Sequence, residues 1–185
     1  MSRIEQYLAQ LNEPQREAVL ENSRPLLVLA GAGSGKTRVI TTKIAYAIDV
    51  LGVRPWEILA VTFTNRAAKE MRDRVERMLG DVDVSEMHIR TFHSFGAWLL
   101  RRHGAGIGLS ISFTIYDDED SLSLLASCFP ESKKTELSPV AKAISLAKDM
   151  GIAPGSPARS EFRKDQLFGR QFSEYEKKLH QVGNV

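Results

Sequence analysis

The first part of the chain alternates short apolar runs with helical patterns. The runs cover 26–30, 58–61 and 87–89. Each run is followed by apolar residues at helical spacing, and the clearest such stretch is 65–79, with Gly80 where the end of a helix favours glycine. Apolar strands that alternate with helices are typical of a parallel sheet covered by helices. The pattern therefore predicts an α/β fold.

The second part of the chain has a different pattern. Helical segments follow one another from 117 to 182, and no apolar run of comparable quality separates them. We therefore expect an α/β domain at 1–110 and a small helical subdomain at 111–185.

Two residue pairs in the helical part predict where its helices begin. Ser138 and Pro139 are typical of an N-cap and first helical position, with Gly151 ending that helix. Ser173 and Glu176 have the spacing of a capping box at the start of the last helix.

Composition narrows the class of protein only a little. Of the 185 residues, 43% are hydrophobic and 26% are charged, as in ordinary soluble domains. The single cysteine, Cys128, excludes an internal disulfide, and the four histidines lack the spacing of zinc ligands. No apolar run reaches the roughly 18 residues of a membrane-spanning helix, so we expect no membrane association. The net charge of +2 does not by itself indicate a nucleic-acid partner.

A glycine-rich turn joins the first apolar run to the following helix. Its glycines allow successive backbone amides to point into one concavity at the positive end of that helix. Lys36 supplies a positive charge for phosphates, and the Thr37 hydroxyl can ligate Mg²⁺. Ala30 replaces the first glycine of the strict P-loop pattern. The residues expected to line the phosphate cup are Gly31, Ala32, Gly33, Ser34, Gly35, Lys36 and Thr37.

Four sequence blocks, in one order, resemble the motifs of superfamily 1A DNA helicases of the UvrD/Rep/PcrA type. Residues 11–19 (LNEPQREAV) are similar to the Q motif, and 30–40 (AGAGSGKTRVI) to motif I. Residues 60–71 (AVTFTNRAAKEM) are similar to motif Ia, and 91–95 (TFHSF) to the segment that follows it. Residues 113–117 resemble the entry into the helical 1B insertion of this family.

The resemblance implies a partial RecA-like P-loop NTPase domain, a parallel sheet flanked by helices, followed by a truncated 1B-like helical subdomain. It implies an N-terminal fragment of an ATP-dependent 3′–5′ DNA helicase that serves repair or replication in the cytoplasm, associated with the nucleoid. ATP and Mg²⁺ would be its cofactors. Single-stranded DNA and the remaining helicase domains, 2A and 2B, would be its partners.

The resemblance also assigns roles around the nucleotide. Lys36 and Thr37 would act on the phosphates and the metal, Gln15 would hydrogen-bond the adenine, and Arg38 would lie beside the nucleotide. A second interpretation of Gln15 is open, because Asn12 and Gln15 also have the spacing of a helix capping box.

An aromatic residue directly after the second apolar run contacts single-stranded DNA in this family, and here it is Phe63. Stacking of a base on such a ring is independent of sequence. Core packing is the other interpretation of Phe63, and for Phe92 we expect core packing. The basic residues of 66–77 alternate with acidic ones and predict a solvated helix face. The candidate DNA contacts are Thr62, Phe63, Thr64, Asn65, Thr91 and His93.

No acidic residue is well placed to complete ATP hydrolysis. The acidic run 117–120 is expected to cap the next helix rather than to hold Mg²⁺. We therefore expect nucleotide binding with little or no hydrolysis. Unpaired sheet edges near 26–30 predict either edge-to-edge self-association or marginal solubility. The alternatives are a non-catalytic module that binds nucleotide or single-stranded DNA, and another P-loop NTPase such as a kinase.

Overall fold

The chain folds as two compact units, Met1–Gly96 and Ala97–Val185. The structure is a computed structural model that describes residues 3–157, 166–183 and 185. The first unit contains the sheet, and the second is helical in its described part. The domain boundary expected near residue 110 stays a prediction.

The sheet of the first unit has two parallel strands within the described part of the chain. Leu59 lies opposite His88, and Thr62 lies opposite Thr91. The two strands lie within a residue or two of the predicted runs 58–61 and 87–89. The elements in chain order are α1 (Arg3–Ala9), α2 (Glu13–Leu20), α3 (Lys36–Asp49), β1 (Leu59–Thr62), α4 (Asn65–Leu79), β2 (His88–Thr91) and α5 (Phe92–His103).

The helix α4 connects the two strands and has the predicted bounds 65–79. The Thr64 hydroxyl accepts a hydrogen bond from the Ala67 amide and so caps its first turn. Gly80 ends it with a φ of 68°, which favours glycine. Its buried face belongs to the core of the first unit and comprises Ala68, Met71, Val75, Met78 and Leu79.

The charge pattern predicts Arg72 on the solvated face of α4, but this prediction is wrong. Its guanidinium donates to the carbonyls of Val84 (3.4 Å), Met87 (3.2 Å) and Ile89 (3.4 Å). These carbonyls lie on β2 and the segment before it. Arg72 therefore ties α4 to the second strand.

Replacing Arg72 with methionine is expected to lower the free energy of unfolding by about 1–3 kcal/mol, because partly buried carbonyls lose their donor. Urea denaturation followed by circular dichroism measures the change. Arg77→Met is the matched control, because exposed Arg77 donates only to the Asp73 carbonyl of its own helix. Equal effects of the two substitutions would contradict the role of Arg72.

The apolar run 26–30 does not form the predicted strand. It has no regular secondary structure, and the side chains of Leu27 and Leu29 are 80% and 86% exposed. A strand forms only where a neighbour accepts and donates its backbone hydrogen bonds. In the described residues β1 and β2 pair only with each other, so the run lies outside the sheet.

The second unit packs three helices around a core of its own. They are α6 (Asp118–Cys128), α7 (Lys134–Asp149) and α8 (Gln166–Val182). The rings of Phe168 and Phe172 are fully buried, with a centroid distance of 5.9 Å. Leu125 and Leu137 are also almost fully buried in this core.

Two helix starts predicted in this unit are wrong. The helix α7 begins at Lys134, so Pro139 lies inside it, and Leu137 is buried in the turn before Pro139. Ser173 lies inside α8, where its hydroxyl donates to the Gly169 carbonyl (2.8 Å). Core burial extends both helices upstream of their local start signals. The predicted end of α7 is confirmed, since Gly151 follows it with a φ of 69°.

Candidate nucleotide and nucleic-acid site

The glycine-rich turn has the backbone conformation that its glycines permit. Gly33 and Gly35 have φ values of 73° and 88°, which disfavour other residue types. Gly35 is the N-cap of α3, and no side chain caps that end. The first turn of α3 contains no acidic residue. The positive end of this helix is therefore not neutralised by its own first turn.

The loop closes on itself through Lys36. The Lys36 ammonium donates to the carbonyls of Gly31 (2.6 Å) and Ala30 (3.1 Å). The Ser34 hydroxyl also donates to the Gly31 carbonyl (2.8 Å), and the Ser34 amide makes a longer bond to it (3.4 Å). Thr37 is exposed. When a phosphate binds at this turn, its oxygens would replace these two carbonyls as acceptors for the Lys36 ammonium.

Most amides of the turn are available to a ligand. A helix leaves its first amides without an intrahelical partner, and here the described residues supply no acceptor for several of them. These amides belong to Ala32, Gly33, Gly35, Lys36 and Thr37. With an ammonium and an exposed hydroxyl beside them, this donor set fits a polyphosphate and its Mg²⁺.

Gln15 forms the predicted capping box of α2 and also contacts the glycine-rich turn, while its adenine contact stays a prediction. Its side-chain oxygen accepts from the backbone amide of Asn12 (3.2 Å). Its backbone amide donates to Asn12 Oδ1 (3.0 Å), which completes the capping box of α2. Its side-chain nitrogen donates to the Ser34 carbonyl (2.9 Å). A Cβ on Gly35 would come within 2.8 Å of that nitrogen. Gln15 therefore lies against the turn and braces it.

Lys43 positions α2 beside the turn, and no sequence motif indicates this role. Its ammonium donates to the carbonyls of Ala18 (3.1 Å), Val19 (3.3 Å) and Glu21 at the end of α2. Burial lowers the pKa of Lys43, and the nearby charge of Glu21 opposes this shift. Because Lys43 belongs to α3, it links α2 to the helix that follows the turn. Arg38, on the same helix, donates to the Gln10 side chain (2.7 Å).

A second cluster lies where β1 and β2 end. Phe63 is 87% exposed, and Phe92 is 52% exposed. Their ring centroids are 5.5 Å apart, with an interplanar angle of 49°. The expectation that Phe92 packs in the core is therefore wrong, because its position directly after a strand places it at the sheet edge.

The polar DNA candidates differ in their surroundings. The hydroxyls of Thr64 and Thr91 cap helices, since each accepts from an amide three residues later (3.1 Å in both). Thr91 is also buried. Thr62 is half-buried, whereas Asn65 and His93 are exposed beside the two rings in sequence.

The acidic run 117–120 has the capping role that the sequence predicts. Asp117 Oδ1 accepts from the amides of Glu119 and Asp120, both at 2.9 Å. Asp120 returns the interaction by accepting from the Asp117 amide (3.2 Å). These contacts use the carboxylates of Asp117 and Asp120 at the start of α6.

None of the helices in the described ranges combines the length and the apolar character that crossing a membrane requires.

These features define an α/β unit with a candidate phosphate-binding turn, accompanied by a helical unit. Residues 11–185 match the model of the UvrD/REP helicase N-terminal domain. The chain therefore belongs to the UvrD/REP helicase N-terminal domain family, as its motifs indicate.

The relatives that the chain resembles are much longer than it is. It is 42% identical over 184 residues to the ATP-dependent DNA helicase PcrA of Bacillus subtilis (strain 168), covering 94% of this chain and 24% of that protein. It is 40% identical over 173 residues to the ATP-dependent DNA helicase Rep of Escherichia coli (strain K12), covering 91% of this chain and 26% of that protein. The chain thus spans about a quarter of the length of these relatives.

Proposed function

We propose that this chain is the ATP-binding N-terminal portion of an ATP-dependent DNA helicase that moves 3′ to 5′ on single strands. The observation that carries the proposal is the start of α3, where the Lys36 ammonium lies on a turn whose amides at Ala32, Gly33, Gly35, Lys36 and Thr37 have no acceptor among the described residues. The names of the relatives, which are ATP-dependent DNA helicases, support the same activity.

In this proposal, the turn binds the phosphates of ATP. The amides of the turn and the Lys36 ammonium hold the phosphate oxygens, and the Thr37 hydroxyl ligates Mg²⁺. The side-chain amide of Gln15 moves from the Ser34 carbonyl to hydrogen-bond the adenine. Arg38 lies beside the nucleotide. In the complete enzyme, ATP binding and hydrolysis would close and reopen two RecA-like domains, moving the DNA contacts at Phe63.

Lys36→Ala is expected to weaken binding of a fluorescent ATP analogue by roughly 10- to 100-fold, because a charged donor to phosphate is lost. Fluorescence anisotropy of the full chain measures the affinity. Lys133→Ala, which removes an exposed lysine of the helical unit, is the control and should bind normally. Unchanged affinity in Lys36→Ala would overturn the proposed nucleotide site.

We also propose that this chain hydrolyses ATP only slowly. In the acidic run 117–120, the carboxylates of Asp117 and Asp120 cap the start of α6, so they are engaged within the helical unit. Phosphate release measured with and without single-stranded DNA tests this part of the proposal. Robust turnover that depends on Lys36 would contradict it.

A further inference from the structure

We infer that Lys43 is a positioning residue for the adenine base, because it anchors to α3 the helix that carries Gln15. The inference rests on the proposed function, in which the side-chain amide of Gln15 hydrogen-bonds the adenine. Lys43 itself lies outside the glycine-rich turn, seven residues after Lys36 on α3. Its effect on the nucleotide is therefore exerted through α2.

The Lys43 ammonium binds the end of α2. A helix leaves its last carbonyls without a donor from its own backbone. Lys43 donates to the carbonyls of Ala18 (3.1 Å), Val19 (3.3 Å) and Glu21. The Lys43 side chain is half-buried, so these bonds are partly shielded from water. Three hydrogen bonds from one side chain of α3 thus hold the last turn of α2.

Apolar packing between the two helices does not fix their relative position to the same degree. Ala18 and Val19 are buried in the core of the first unit. Burial of apolar surface is non-directional, so its free energy changes little when a helix shifts slightly. A hydrogen bond, in contrast, is good only over about 0.5 Å in distance and above about 120° in angle. The Lys43 contacts are therefore the ones that set where α2 ends along α3.

Gln15 lies between two polar contacts that join its segment to α3. Before α2, the Arg38 guanidinium donates to the Gln10 side chain (2.7 Å). At the other end of α2 are the Lys43 contacts. Gln15 also donates to the Ser34 carbonyl (2.9 Å), but this is the bond that the adenine contact replaces. Once the base is bound, Gln15 depends on the two outer contacts for its position.

Without the Lys43 ammonium, α2 is free to pivot about the contact between Arg38 and Gln10. Its eight residues form a helix about 12 Å long, so a small rotation displaces Gln15 by more than a hydrogen bond tolerates. A side chain that is already held in place also loses less entropy when its ligand binds. Loss of Lys43 should therefore weaken recognition of the base and spare recognition of the phosphates.

The test compares ATP with inorganic triphosphate, which has the phosphates but no base. Each displaces a ribose-labelled fluorescent ATP analogue from the full chain in the presence of Mg²⁺, and fluorescence anisotropy measures the displacement. Lys43→Met is expected to weaken ATP binding by roughly 2- to 10-fold, the range for loss of one hydrogen bond. Triphosphate binding should be unchanged, because Lys43 contacts the end of α2 that is farther from Gln15.

Two variants control for the loss of a lysine. Lys43→Arg should retain ATP affinity, because its guanidinium can donate to the same carbonyls. Lys69→Met removes an exposed lysine of α4 and should bind both ligands normally. If Lys43→Met does not retain the wild-type circular dichroism spectrum, Lys43→Gln, which keeps a shorter donor, takes its place in the comparison.

A double substitution shows whether Lys43 acts through Gln15. In a Gln15→Ala background, Lys43→Met should cause no further loss of ATP affinity, because residues that act on one contact have non-additive effects. Additive losses would overturn the inference.

The remaining outcomes separate this inference from the proposed function. If Lys43→Met weakens ATP and triphosphate binding equally, or weakens neither, Lys43 does not position the base and the phosphate site stands. If the unmodified chain binds ATP no more tightly than triphosphate, the adenine contact and the role of Lys43 both fail. If the unmodified chain binds neither ligand, the proposed nucleotide site itself fails.

Discussion

Phe168→Ala is expected to lower the free energy of unfolding of the helical unit by about 3–5 kcal/mol, the range for truncating a fully buried phenylalanine. The Phe168 ring has no exposed surface and packs against Phe172, at the centre of the core that α6, α7 and α8 share. Removing the ring leaves a cavity that the remaining side chains fill only in part. This cost is a large fraction of the stability of a domain of this size.

Each unit contains one tryptophan, so its unfolding can be followed separately. Trp98 belongs to the helical unit and Trp56 to the α/β unit. In a Trp56→Phe background, urea denaturation followed by fluorescence reports unfolding at Trp98, the tryptophan of the second unit. Leu167→Ala is the matched control, because Leu167 neighbours Phe168 but is 52% exposed. A similar loss in both variants would contradict a central role for Phe168.

The sequence predicts an element well when the residues that specify it lie within the element or directly beside it. The apolar spacing of α4, with Thr64 before it and Gly80 after it, specifies that helix without reference to the rest of the chain. The glycine-rich turn is also local, because its conformation depends on the left-handed glycines at 33 and 35. The sequence therefore predicts both elements at nearly the right residues.

Elements that depend on distant partners could not be predicted in the same way. The run 26–30 is apolar enough for a strand, but a strand also needs a neighbour. The starts of α7 and α8 depend on burying Leu137 and Phe168 against other helices, which overrides the signals at Ser138 and Ser173. The exposure of Phe92 likewise depends on the pairing of β1 with β2.

The apolar run 26–30 exposes hydrophobic side chains to solvent. Leu27 and Leu29 are 80% and 86% exposed, and contiguous apolar patches promote association. In the described part of the chain, β1 is paired on one side only.

A groove of about 270 Å³ lies between α3 and β1. The residues that line it include Ile40, Ile44, Ala47, Leu59 and Val61.

The double substitution Leu27→Lys and Leu29→Lys is expected to convert a self-associating chain into a 20.6 kDa monomer. Two charges in the run oppose pairing with a strand edge of a second copy, as lysines do on natural sheet edges. Each substitution should change stability by no more than about 0.5 kcal/mol, because both side chains are largely in water. Light scattering over a concentration series measures the mass.

Ile107→Lys together with Ile111→Lys is the matched control for this experiment. These side chains are 66% and 75% exposed in the helical unit, so the control adds the same charge at a distance in sequence from the run. Association should persist in the control, because the run 26–30 keeps its apolar side chains. If the control dissociates as fully as the test variant, net charge rather than the run governs association. An unmodified chain that stays monomeric at every concentration would contradict edge pairing itself.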